Sequence, residues 1–186
     1  IRNLDGSTAI ISAARNNQDP AVILALLEAG SDLSIRSYTD EDALVAGCAN
    51  SNPEIIRILV KAGIPINGFY GELGSTPLMI ATFLFQDPII ITTLLECGAD
   101  VNLHRRDGLN ALLLAAMVCK DARCLSILLE ANADIETRDM NGNTALSLAA
   151  FLNQNAEVTK LLIEAGLDIN AKDKTGNTAL MHAAIN

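Results

Sequence analysis

A polar residue followed by an apolar run returns along this chain every 34 residues. The polar positions are Thr8, Asp42, Thr76, Asn110, Thr144 and Thr178. Behind them stand Ala9-Ile10, Ala43-Leu44, Pro77-Leu78, Ala111-Leu112, Ala145-Leu146 and Ala179-Leu180. Three residues past each Ile or Leu comes a small pair: Ala13-Ala14, Gly47-Cys48, Ala81-Thr82, Ala115-Ala116, Ala149-Ala150 and Ala183-Ala184. Apolar residues at this spacing predict a helix buried along one face. Thr, Asp and Asn ahead of it are side chains that accept a bond from a free backbone N–H. Pro77 suits the first helical position, where its missing donor costs nothing.

A second helix is predicted to begin near Asp19-Pro20, Asn52-Pro53, Asp87-Pro88, Asp121-Ala122 and Asn155-Ala156, again behind a capping side chain. It carries Leu26-Leu27, Leu59-Val60, Leu94-Leu95, Leu128-Leu129 and Leu162-Ile163. Gly30, Gly63, Gly98, Asn132 and Gly166 follow, residues that tolerate the left-handed conformation just past a helix. Turn signals come next at Asp5-Gly6, Asp107-Gly108, Asn141-Gly142 and Thr175-Gly176. Each repeat therefore reads as helix, loop, helix and a turned-out finger. A fixed period of this length marks a solenoid, in which each repeat touches only its neighbours and the product is an extended surface.

These repeats resemble ankyrin repeats, as in Gly142-Asn143-Thr144-Ala145-Leu146 through Ala149-Ala150 to Leu162-Ile163-Glu164-Ala165-Gly166-Leu167-Asp168-Ile169-Asn170. Gly98-Ala99-Asp100-Val101-Asn102 repeats the family's ending. The resemblance implies an all-α, right-handed curved stack of helix pairs with β-hairpin-like fingers. We read one domain over 1–186, with repeats at about 3–36, 37–70, 71–104, 105–138, 139–172 and a partial one over 173–186. Most repeats carry one residue beyond the usual ankyrin length, in the loop between the helices. The second lacks it, places Asp40 where a turn glycine is expected and has Gly47-Cys48 as its small pair, so it should be the least regular. The chain opens on Ile1 without a Met and stops at Asn186 after a first helix, so both ends read as cut from a longer protein.

Composition narrows the function. Half of the residues are hydrophobic but only 3% are aromatic and Trp is absent, which predicts an Ala/Leu core of closely packed helices. A net charge of -9 argues against a nucleic-acid partner and suits a soluble monomer. No run of eighteen apolar residues exists to span a membrane. No signal peptide is visible, which leaves the cytoplasm as the default compartment. Cys48, Cys97, Cys119 and Cys124 show no disulfide framework, although Cys119 and Cys124 flank a predicted loop. Enzyme readings find no support. His104 and His182 fall about two repeats apart, no Cys/His spacing suits zinc, and no phosphate-cradling or nucleophile-elbow motif occurs. No cofactor is expected.

The expected activity is protein–protein recognition, which the resemblance places on the fingers and the inner face of the first helices. Seven residues past each cap stand Arg15, Ala49, Phe83, Met117, Phe151 and Ile185, followed by Asn16, Asn50, Leu84, Val118, Leu152 and Asn186. Phe83, Met117 and Phe151 are candidate groove residues, because aromatic and Met side chains are enriched at interface centres. Leu84, Val118 and Leu152 are expected in the core. On the fingers, Tyr38, Phe69, Tyr70 and Leu73 are candidates, the last three on the glycine-hinged stretch from Gly68 to Gly74. A basic column at Arg2, Arg36, His104, Arg138 and Lys172 lies along the finger side and reads as a solvated face. The alternative function is a passive spacer or regulatory arm of a larger enzyme or channel.

Overall fold

The computed structural model describes residues 1–185, so Asn186 lies outside the description. Its α-helices are α1 (Ala9–Asn16), α2 (Pro20–Glu28), α3 (Ala43–Gly47), α4 (Pro53–Lys61), α5 (Pro77–Ile80), α6 (Pro88–Glu96), α7 (Ala111–Val118), α8 (Ala122–Glu130), α9 (Ala145–Leu152), α10 (Ala156–Glu164) and α11 (Ala179–Ile185). The fold is all-α. The described residues show no extended strand, only an isolated antiparallel bridge between Tyr70 and Ser75.

The chain divides into two compact units, one of residues 1–81 and 89–99, the other of residues 82–88 and 100–186. In the N-terminal unit α1 packs on α3 and α3 on α5, while α2 packs on α4. In the C-terminal unit α7 packs on α9, α9 on α11 and α8 on α10. First helices thus stack on first helices and second on second, as a repeat with one apolar stripe per helix requires.

Most ends follow the local chemistry of the sequence. Asp42, Thr76, Asn110 and Thr144 each accept a backbone N–H at the start of a first helix. Thr8 does not: its hydroxyl makes no cap bond and is buried without a partner. Asp19, Asn52, Asp121 and Asn155 cap second helices. Gly30, Gly63, Gly98, Asn132 and Gly166 all take positive φ. Behind each, the next residue donates to the carbonyl five positions back, as from Ser31 to Leu26 and Leu167 to Leu162, which satisfies the last carbonyls of the helix.

The core is small and aliphatic. Leu44, Leu112 and Leu146 are at most 2% exposed, with Ala14, Ala46, Ala81, Ala115 and Ala149 at 0% between them. From the second helices, Ile23, Ile55, Leu59, Ile90, Leu94, Leu125, Leu128, Val158 and Leu162 close the other side. The second repeat is irregular as its sequence suggests: α3 has only five residues, and Asp40 holds φ +61° in its finger. The third departs in a way the sequence does not announce. Its first helix passes from α5 into a π-helical stretch over Ala81–Phe85, leaving Gln86 at φ +54°. There the extra residue enters the helix instead of the loop, the usual origin of a π-bulge.

Fingers are tied to one another through the backbone. Tyr38 N–H donates to Asp5, Met140 to Asp107 and Lys174 to Asn141. At Gly71 the N–H meets the Asp40 carboxylate instead, at 2.7 Å. At Gly108 the neighbouring finger backbone comes close: its φ is +83°, and an added Cβ would lie 3.0 Å from the Met140 nitrogen. Gly108→Ala is therefore expected to cost about 2–3 kcal/mol, combining left-handed strain with a disturbed finger bond. Gly63→Ala, with φ +103° and open space around it, should cost only about 1–2 kcal/mol. Urea midpoints of the two variants separate these effects.

Candidate functional site

In the C-terminal unit a column of large apolar side chains lies open at the ends of the first helices. Phe83 is 38% exposed and Leu84 60%, both on the π-helical stretch. Met117 and Val118, the last residues of α7, are half-buried. Phe151 and Leu152 close α9 at 40% and 44% exposure. Leu84, Val118 and Leu152 are thus not core residues, contrary to expectation. The second helices bury residues against the small pairs, through Cys124, Leu125 and Leu128 in α8 and Val158 and Leu162 in α10. Phe151 also meets the His182 ring of α11, with centroids 5.6 Å apart.

Between α7 and α9 these ends form a groove of about 670 Å³, floored by Met117, Val118 and Leu152. Asn153, which carries no expectation from the sequence, and the capping residue Asn155 build its rim. The Asn153 amide donates to the carbonyls of Ala116 at 3.0 Å and Cys119 at 3.1 Å, and its oxygen accepts the N–H of Asn155. Asn155 bonds the Lys120 carbonyl at 2.9 Å and caps α10. The N-terminal unit repeats the device: Asn50 bonds Ala14 and Asn17, and Asn52 bonds Gln18. The visible signal is Asn-x-Asn ahead of a second helix, in Asn50-Ser51-Asn52 and Asn153-Gln154-Asn155. In that unit the column holds no apolar pair, because Arg15 is ion-paired with Glu41 and Asn50 is buried in the loop bridge.

Finger candidates divide. Tyr38 is 74% exposed with its ring over Gly6, Phe69 is 53% exposed and Leu73 45%. Tyr70 is buried at 4% and leaves the set of candidate contacts. Its hydroxyl donates to the carboxylate of Asp42, and the Arg36 guanidinium lies 4.2 Å above its ring. Burial and then the Asp42 carboxylate push the Tyr70 hydroxyl well above its ordinary pKa, since both oppose a second negative charge. Two exposed finger tips go unnoticed in the sequence reading: Leu4 at 100% and Met140 at 61%, which share the Tyr38 column at the 34-residue period.

Part of the basic column is structural. Arg2 donates to the Arg36 carbonyl, Arg36 to that of Phe69 and Arg138 to that of Lys172, each at 2.9–3.0 Å. Three of these arginines thus clamp one repeat to the next. Other titratable groups are likewise occupied by the fold. His182 Nε2 lies 2.8 Å from the Asp173 carboxylate. That carboxylate is held far below the usual range, first by the Thr175 hydroxyl and then by backbone and His182 contacts. It organises a finger turn through Thr175 and Asn177. All four cysteines are free thiols, and burial drives that of Cys48 strongly upward.

The helix-pair-and-finger geometry has a counterpart among known families. A family model described as ankyrin repeats (three copies) matches residues 10–105 and, overlapping, residues 78–173. The chain belongs to the ankyrin-repeat family. No curated protein matches it. Ankyrin repeats are generally protein–protein interaction modules, and proteins built from them are generally non-enzymatic. Among the described residues no helix is long and apolar enough to cross a membrane. The matched span, 10–173, takes in the whole Phe83, Met117 and Phe151 column of this ankyrin-repeat chain.

Proposed function

We propose that this ankyrin-repeat protein binds a protein partner through the inner face of its C-terminal unit, with Phe83, Met117 and Phe151 as contact residues. The observation that supports the reading is the asymmetry of the column. Phe83 and Phe151 stand open at 38% and 40% exposure, where the first two repeats place Arg15 and Ala49. Large apolar groups left in water at successive repeats cost about 25 cal/mol per Å² of exposed apolar surface, which a partner recovers by covering them. Tyr38, Phe69 and Leu73 give the fingers of the N-terminal unit a second apolar contact set.

Affinity capture with a variant carrying Phe83→Ser, Met117→Gln and Phe151→Ser tests the reading. Circular dichroism should show unchanged helicity, because none of the three side chains is fully buried. The captured partner should be lost, with affinity reduced by at least about a hundredfold, as expected on removing several central contacts. Retention of the partner by a folded triple variant would move the site to the fingers.

A further inference from the structure

The groove between α7 and α9 carries one charged group, which no side chain among the described residues engages. Asn153 and Asn155 are committed to the loop carbonyls and to the start of α10. Lys120 lines the same groove. Its backbone N–H meets the Gln86 side chain at 3.0 Å, but its ammonium has no hydrogen-bond or ion-pair partner among the described residues, and neither has the Gln154 amide. The nearest acid in sequence, Asp121, is engaged by Arg123 at 2.6 Å while it caps α8. The equivalent loop positions, ten residues past the caps Thr8, Thr76 and Thr144, hold Gln18, Gln86 and Gln154, so the cation belongs to this groove alone.

We propose that this groove selects an acidic segment of the partner, one carrying Asp or Glu beside a large aliphatic or aromatic residue. The inference rests on the inner-face reading above and names the chemistry of the segment it receives. The apolar residue covers Met117, Val118 and Leu152, and the carboxylate reaches the Lys120 ammonium with Gln154 as a second donor. Lys120 is exposed in the free chain, but a segment seated on the floor excludes water beside it, so the ammonium's attraction to an opposite charge then exceeds that on open surface. Asp121, the acid next to Lys120, is already paired with Arg123, and the rest of the chain's net charge of -9 acts only as far as screening allows. Charges farther than the Debye length, about 8 Å at physiological salt, are largely screened.

The test uses a phage-displayed library of random dodecapeptides, selected on the whole chain at physiological salt. Enriched sequences are then remade as fluorescein-labelled peptides and titrated by anisotropy. The expected result is enrichment of acidic peptides with a large apolar residue beside the acid. Lys120→Glu should weaken them about tenfold, Leu152→Gln similarly, and Lys120→Arg hardly at all. Lys120 and Leu152 are both exposed, so circular dichroism should find all three variants folded. Enrichment of neutral or basic peptides, no enrichment, or acidic peptides indifferent to Lys120→Glu would each overturn the inference. Peptides lost with the Phe83/Met117/Phe151 triple variant but indifferent to Lys120→Glu overturn it while leaving the inner-face reading intact.

Discussion

Asp42→Ala should destabilise the N-terminal unit by about 2–4 kcal/mol. The carboxylate has two tasks. One oxygen accepts the N–H groups of Leu44 at 2.9 Å and Val45 at 3.0 Å, capping the five-residue helix α3. The other accepts the hydroxyl of Tyr70, 28 residues further along the chain. Losing a cap costs about 1 kcal/mol, and leaving a buried hydroxyl without a partner costs about 1–3 kcal/mol more. Asp42→Asn keeps a capping oxygen and should lose roughly half as much. Urea unfolding followed by circular dichroism measures all three proteins.

The same contact gives the fold an alkaline limit. Tyr70 has a raised pKa in the folded chain, so its neutral form is the one the fold prefers. Its contribution is fully present below about pH 10, the ordinary tyrosine value, and is lost as pH rises beyond that toward the folded value. A titration followed at 295 nm should show a late tyrosine component above pH 10 that coincides with unfolding. Tyr70→Phe should remove this component. If Tyr70 were an open finger contact, its hydroxyl would instead titrate without loss of helicity.

Tyr70 also marks where sequence stops being a guide. Helix ends were legible because their chemistry is local: Gly30, Gly63, Gly98, Asn132 and Gly166 all take the left-handed conformation their residue types suggest. Burial of Tyr70 is not local. It follows from Asp42 and Arg36, each about one repeat upstream, and a glycine-hinged finger carries no sign of them. Phe69 and Leu73 on the same finger remain exposed, so composition alone does not sort the three. The π-helical stretch escapes for another reason: an extra residue between Thr76 and Asp87 fits a longer loop or a bulged helix equally well. The same extra residue leaves α7 a regular α-helix with Ala115 and Ala116 just as fully buried as Ala81 and Thr82, so neither loop length nor a small pair announces the bulge.

Leucines at the two ends of a first helix should behave in opposite ways. Leu112→Ala, near the start of α7, is expected to cost about 3–4 kcal/mol, because Leu112 is 0% exposed and the surrounding aliphatic core would be left with a cavity. Leu152→Ala, at the end of α9, removes a side chain that is 44% exposed and should cost less than about 1 kcal/mol. Helical periodicity assigns both to an apolar face, since it reports which side of a helix a residue occupies. It does not report whether the facing helix reaches that turn. In this chain it does not separate Leu112, fully buried near the start of α7, from Leu152, left 44% exposed at the end of α9 where it lines the groove. Equal losses in urea unfolding for the two variants would place Leu152 in the core, and the groove would then lack its apolar floor. The expected contrast separates the leucine that holds the stack together from the leucine free to meet a partner.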